Sequence, residues 1–149
     1  MNRQRLVLAS DHAGRSLRLT LGAHLVAAGH THLDLGCEDA TPVDYPPFAA
    51  RACQVLAAGE AELGLLICGT GLGMSMAANR LPGMRAAACS NEIAARLARE
   101  HNDANLLCLG ARLVGVALAT AILDAFLAAS FAGGRHALRL SQLRALERR

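Results

Sequence analysis

Between Leu65 and Arg80 the chain reads LLICGTGLGMSMAANR. An apolar run ends at Cys68, and glycines follow at 69, 71 and 73, with Thr70 and Leu72 between them. A small-residue helical pattern then begins. Glycines spaced by two let backbone N–H groups turn inward at a helix start, where they form a nest for an anion. A thiol at the mouth of such a nest is favoured as its thiolate, the form that acts as nucleophile or proton-abstracting base. The chemistry on offer is a base beside an oxyanion cradle. A tight structural turn is the alternative reading of the glycines taken alone.

Two further groups of residues carry charge suited to a small anionic substrate. Arg135 and Arg139 are four apart, so on a helix they share a face and can clamp a phosphate; solvated surface arginines are the competing reading. Arg112 offers a third guanidinium or, equally, a salt bridge. The run REHNDAN (99–105) puts His101 and Asn102 at a helix end, where a histidine can shuttle protons near neutral pH or simply face the helix C-terminus. His12, His101 and His136 lack the local spacing of metal ligands, and His24, His30 and His32 read as structural or surface residues.

Composition removes several other chemistries. All fifteen basic residues are arginine, so a Schiff-base lysine and a phosphate-loop lysine are both excluded. The glycine loop is not a dinucleotide fingerprint either, since it follows the third strand pattern and not the first. A net charge of +3 and 3% aromatic residues give neither a basic patch nor stacking platforms for nucleic acid. The five cysteines, at 37, 53, 68, 89 and 108, contain no CxxC pair and point to reduced thiols in a reducing compartment. Those at 53, 89 and 108 read as small buried hydrophobes. A thiol redox enzyme would want a resolving cysteine near Cys68, and none is there. No apolar run reaches the length of a membrane span, and MNRQRLVLAS does not read as a signal peptide, so the expectation is a soluble, cytoplasmic protein.

The elements that must position these residues alternate along the chain. Strands are expected at 5–10, 32–36, 63–68, 84–89 and 106–111, although MRAAAC (84–89) has weak β propensity. Helices are expected at 14–29, near 45–58, near 73–80, at 90–101 and near 115–130, with Ser90 or Asn91 capping the fourth and Glu92 in its first turn. Continuous apolar strands between helices imply a parallel sheet covered on both faces. The expectation is one α/β domain over residues 1–149: a doubly wound, Rossmann-like, five-stranded parallel sheet plus a C-terminal helix entered through Gly133 and Gly134. That arginine-rich helix is expected on a surface or across a subunit boundary. Ligands of such sheets gather at the carboxyl ends of the strands. The rule collects Asp11, His12, Asp44, Tyr45, Cys68 to Gly73, Ser90, Asn91 and Arg112 at one edge.

Five ordered stretches, SDHAG (10–14), DYP (44–46), CGTGLGMSMAANR (68–80), RLAREHNDANLLCLGAR (96–112) and GGRHALR (133–139), together resemble the ribose-5-phosphate isomerase B family, which also includes galactose-6-phosphate isomerase subunits. The resemblance runs nearly end to end. It implies an aldose–ketose isomerase that works through an enediolate without metal or cofactor. It also implies roles: Cys68 as the base between C1 and C2, with Thr70 and the backbone N–H groups of Gly69, Gly71, Leu72 and Gly73 around the oxyanion. His101 would assist ring opening, Asp11 and Asn102 bind sugar hydroxyls, and Tyr45 line the pocket. His12, Arg112, Arg135 and Arg139 would hold the phosphate. One branch of the family replaces the cysteine by a glutamate a few residues on; here that place falls on Met74, so this sequence resembles the cysteine branch. The resemblance further implies at least a homodimer, or a dimer of dimers, with His101, Asn102 and Arg112 entering the site from the partner. Ribose 5-phosphate is the expected substrate. Four- or six-carbon phosphosugars and a non-catalytic phosphosugar-binding module are the alternatives.

Overall fold

The computed structural model describes residues 3–147. Five strands and six helices alternate as β1 (Arg5–Ser10), α1 (Arg15–Ala27), β2 (Thr31–Asp34), α2 (Pro46–Ala57), β3 (Leu63–Cys68), α3 (Leu72–Ala78), β4 (Ala86–Ala88), α4 (Glu92–Asn102), β5 (Leu106–Gly110), α5 (Val116–Ala128) and α6 (Arg135–Leu146). All pairings are parallel, in the order β2-β1-β3-β5-β4. Chain order reverses between β1 and β3, which opens a crevice above their carboxyl ends.

Each strand alternates its side chains between two cores. Leu6, Leu8, Leu65, Ile67, Leu107 and Leu109 face one layer, formed by α1, α4 and α5. Val7, Ala9, Leu66, Cys68, Leu106 and Cys108 face α2 and α3. Aromatic residues being scarce, aliphatic side chains and alanines fill both layers. Each fully buried Leu or Ile contributes about 1.5–3 kcal/mol relative to leaving it in water. No helix among the described residues is long and apolar enough to cross a membrane.

Two expected strands end two or more residues short of, or cover only half of, their sequence patterns. β4 has only three residues where six were expected. Arg85, just before it, keeps its carbonyl on the Asn105 and Leu106 N–H groups at 3.1 and 3.3 Å, while its guanidinium binds the Asp103 carbonyl at 2.7 Å and the Asp103 carboxylate at 3.0 Å. The exposed edge of β4 is closed by a side chain in place of a strand. Asn79 accepts the Ala86 N–H at 2.8 Å and donates to the Ala86 carbonyl at 2.9 Å. That is a compact way to block edge-to-edge pairing. β2 ends at Asp34, two residues short of the pattern, where Arg18 takes the Asp34 carboxylate.

Candidate active site

The glycine loop is built by close approach. Gly71 is the N-cap of α3 at φ +77°, in the left-handed region, and a Cβ there would stand 2.9 Å from the Leu109 carbonyl carbon. Only glycine tolerates both conditions. The carboxyl ends of β3 and β5 are laced together beneath it: Ala111 N–H donates to the Cys68 carbonyl at 2.9 Å, and Arg112 N–H to the Gly69 carbonyl at 3.0 Å. The Gly71 N–H donates to Cys68 Sγ at 3.2 Å. Thr70 Oγ1 accepts the Leu72 N–H at 3.3 Å. The thiol therefore sits in the loop with a backbone donor already aimed at its sulfur.

Other expected residues converge on the same edge. A Cβ on Gly73 would lie 2.5 Å from the Tyr45 ring, so the phenol packs directly on the loop. A Cβ on Gly69 would lie 3.0 Å from Arg112 Nη1. Arg112 thus reaches the loop from its own chain, which corrects the expectation that it enters from a partner. Asp11 is buried and its Oδ1 accepts the Gly14 N–H at 3.1 Å, which fixes the turn into α1. His12 Nδ1 accepts the Val43 N–H at 3.1 Å. In the neutral ring that places the proton on Nε2, a donor available to an anion. Met74 is wholly buried in the core on the α2 and α3 side, so its position in the loop contributes packing and no polar group.

A residue that sequence reading passed over underpins this edge. Arg18, 3% exposed, donates from Nη1 to Ser10 Oγ, from Nη2 to the Cys37 carbonyl at 2.9 Å and from Nε to Asp34 at 2.9–3.1 Å. It ties the end of β1, just before Asp11 and His12, to the segment that leads to Val43 and Tyr45. Its place in the middle of an otherwise ordinary amphipathic pattern carried only one weak signal, a charge on the apolar stripe of α1.

His101, Asn102, Arg135 and Arg139 are not at this edge. α4 runs antiparallel to the strands and ends at Asn102, after which Asn105 accepts the Gly64 N–H at the start of β3. Cys68 lies at the far end, paired with Gly110. Five strand residues at about 3.3 Å each separate the two edges by roughly 16 Å. At the amino edge the imidazoles of His101 and His136 stack with centroids 4.3 Å apart and planes 11° from parallel. That stack brings Arg135 and Arg139 beside His101. A cavity of about 660 Å³ under α6, lined in part by Arg80, Arg85, Asn102 and Glu147, lies near this second group and includes none of the carboxyl-edge residues. The candidate residues therefore fall into two groups: Asp11, His12, Tyr45, Cys68, Thr70 and Arg112 at one edge, His101, Asn102, Arg135 and Arg139 at the other.

Three other thiols are shifted towards the neutral form. Burial pushes Cys53 up to about 11 and raises Cys89, and it drives fully buried Cys108 well above the ordinary thiol range, helped by the neighbouring cysteines. All three are inert small hydrophobes, as expected.

Comparison with known proteins places residues 6–143 in a family described as ribose/galactose isomerase. Ribose-5-phosphate isomerase B of Escherichia coli is 42% identical over 146 residues, covering 98% of both chains. A probable ribose-5-phosphate isomerase B of Mycoplasma genitalium is 43% identical over 141 residues, 93% of this chain and 92% of that one. Among solved structures, the ribose-5-phosphate isomerase B of Clostridium thermocellum superposes with a TM-score of 0.95 at 44% identity, over 97% of each chain. The type B enzyme of Trypanosoma brucei gives 0.93 at 37% identity, over 97% of this chain and 99% of that one.

Proposed function

The chain belongs to the ribose/galactose isomerase family, and we propose that it interconverts ribose 5-phosphate and ribulose 5-phosphate, with Cys68 as the base that moves the proton between C2 and C1. The observation that carries the catalytic part is the Gly71 N–H donated to Cys68 Sγ at 3.2 Å, at the mouth of the glycine loop. In the aldose-to-ketose direction the Cys68 thiolate takes the C2 proton of the open-chain sugar. The electron pair forms the C1–C2 double bond of the enediolate, and negative charge moves to O1. A proton passes from O2 to O1, and as the O2 oxyanion collapses to the C2 carbonyl the Cys68 thiol returns its proton to C1 and regains the thiolate. A positioned base contributes about 10²–10⁴-fold, and each oxyanion donor about 10²–10³-fold, so the loop supplies catalysis on both counts. His101 acts on the ring-opening proton transfer that precedes this step. Arg135, Arg139, Arg112 and His12 hold the phosphate, and Asp11, Asn102 and Tyr45 hold the sugar.

These assignments need two copies of the chain. A thiolate at the carboxyl edge and an imidazole at the amino edge of one sheet are about 16 Å apart, beyond the reach of a five-carbon sugar's reacting atoms. A two-fold pair sets the carboxyl edge of one protomer against the amino edge of the other, and its self-complementary interface makes two such sites. The apolar side chains left exposed around the loop, Leu72, Met76, Leu113 and Val116, suit burial in that interface.

Steady-state kcat/KM over four-, five- and six-carbon phosphosugars tests the substrate. Ribose 5-phosphate is expected to lead, and a tenfold or greater preference for another sugar overturns the choice. Cys68→Ala tests the base: turnover is expected to fall by about 10²–10⁴-fold while inorganic phosphate still binds. A fully active variant removes Cys68 from the mechanism.

A further inference from the structure

His136 has no part in the reaction as described, although it stands between the two arginines assigned to the phosphate. It is 8% exposed, whereas Arg135, Ala137 and Arg139 around it are exposed. Two consecutive glycines with positive φ, Gly133 at +64° and Gly134 at +56°, turn the chain into α6. The Ala132 N–H donates to the Glu100 carbonyl at 2.9 Å, which docks that turn on the last turn of α4, next to His101. Helical spacing then sorts the side chains. Arg135 and Arg139 share the outer face, while His136 and Leu140, also four apart, share the buried one.

We propose that His136 is the positioning residue for His101: its flat ring, stacked 4.3 Å from the His101 imidazole, holds that imidazole in the one orientation that serves ring opening in the neighbouring protomer. The inference rests on the assignment of His101 as the acid–base group made above. A histidine at a helix end turns freely about its terminal torsion, which has broad, shallow minima. Proton transfer to a sugar oxygen tolerates little of that freedom, because misplacement by about 1 Å costs up to ~10²-fold in rate. A parallel neighbouring ring removes the freedom without competing for the substrate. Burial, followed by the charges of His101, Arg135 and Arg139, holds His136 below the ordinary histidine range, so it stays neutral near pH 7 and leaves proton transfer to His101. The same helical turn carries the phosphate clamp. The clamp and the ring that orients His101 are thus carried by one helix, α6.

Three variants of the intact enzyme test this. His136→Ala removes the ring, His136→Phe keeps a flat ring without a titrating group, and His101→Ala removes the residue being positioned. With His136→Ala, kcat for ribose 5-phosphate is expected to fall about tenfold, within the range of a misplaced proton-transfer group. KM and competitive inhibition by inorganic phosphate should stay within about twofold, because the arginines keep their register. The His101 imidazole ¹⁵N and ¹³C resonances should shift to those of a freely turning ring. His136→Phe is expected to recover most of kcat and the ordered His101 signature, a rescue that a purely stabilising role would not give. Wild-type kcat and unchanged His101 resonances in His136→Ala overturn the proposal. So does an equal loss in both His136 variants accompanied by lost phosphate inhibition, which would make His136 a strut for the clamp. If His101→Ala keeps wild-type turnover, the reading of His101 itself fails; if it is impaired while His136→Ala is not, only the positioning role fails.

Discussion

Three of the chain's buried thiols, Cys53, Cys89 and Cys108, are pushed towards the neutral form by burial, while a fourth, Cys68, receives a backbone N–H from a glycine loop. That difference was legible because the glycines sit next to Cys68 in sequence. Arg18 was not legible in the same way: its partners Ser10, Asp34 and Cys37 lie 8, 16 and 19 residues away and meet it only when β1, β2 and α1 pack. Arg18→Met should lower stability by about 2–3 kcal/mol, since it strands two buried acceptors and a partly exposed carboxylate. Urea unfolding midpoints measure this. KM for ribose 5-phosphate should rise as well, because the segment carrying Tyr45 loses its tether to the end of β1. A loss below about 1 kcal/mol would mean that the guanidinium is not what holds these segments together.

Helices and strands were largely legible as elements because apolar periodicity is local. β1 and β3 match their sequence patterns residue for residue, and Asn91 caps α4 by accepting the Ala94 N–H at 2.8 Å. The pattern at 84–89 overshot at both ends, in a segment of weak β propensity beside which Arg85 meets Asp103, a partner that no local pattern announces. Gly71→Ala tests the loop as an element. A side chain at φ +77° and 2.9 Å from Leu109 forces the loop to shift, with an expected loss of at least 1–2 kcal/mol in thermal unfolding and a larger proportional loss in kcat. The α4–α6 junction should respond to pH. His136 binds its proton less readily folded than unfolded, so its contribution is complete above the unfolded value near 6.5 and is lost as pH falls below it. Unfolding midpoints between pH 7 and 5 should therefore fall more steeply for the native protein than for His136→Phe. Parallel slopes would show that this histidine is not the source.

At the scale of the whole molecule, the separation of the two groups of candidate residues gives a direct prediction. Cys68→Ala and His101→Ala should each be inactive alone. When the two are unfolded together and refolded as mixed dimers, one site in each heterodimer joins an intact Cys68 edge to an intact His101 edge. Random pairing makes half the dimers mixed with one good site of two, so about a quarter of native activity should return. No recovery, with mixed dimers verified by mass spectrometry, would mean that Cys68 and His101 do not cooperate across the pair. Arg135→Ala and Arg139→Ala should each raise KM for ribose 5-phosphate about tenfold or more, with kcat changed less, since a bidentate phosphate contact is removed.

The amino-acid sequence alone determined the alternation of strands and helices, the glycine loop with its cysteine, the capping of α4, and the chemistry available to a chain whose basic residues are all arginine. These depend on residues within a few positions of one another, where periodicity and backbone stereochemistry act. Tertiary structure alone decided that Arg112 meets the loop within its own chain, that Arg18 braces the carboxyl edge, and that His136 lies flat on His101. It also decided that the candidate catalytic residues divide between two edges of one sheet. Strand order and helix direction set those positions, and they follow from burying two faces of a sheet at once, a condition satisfied by the folded chain as a whole.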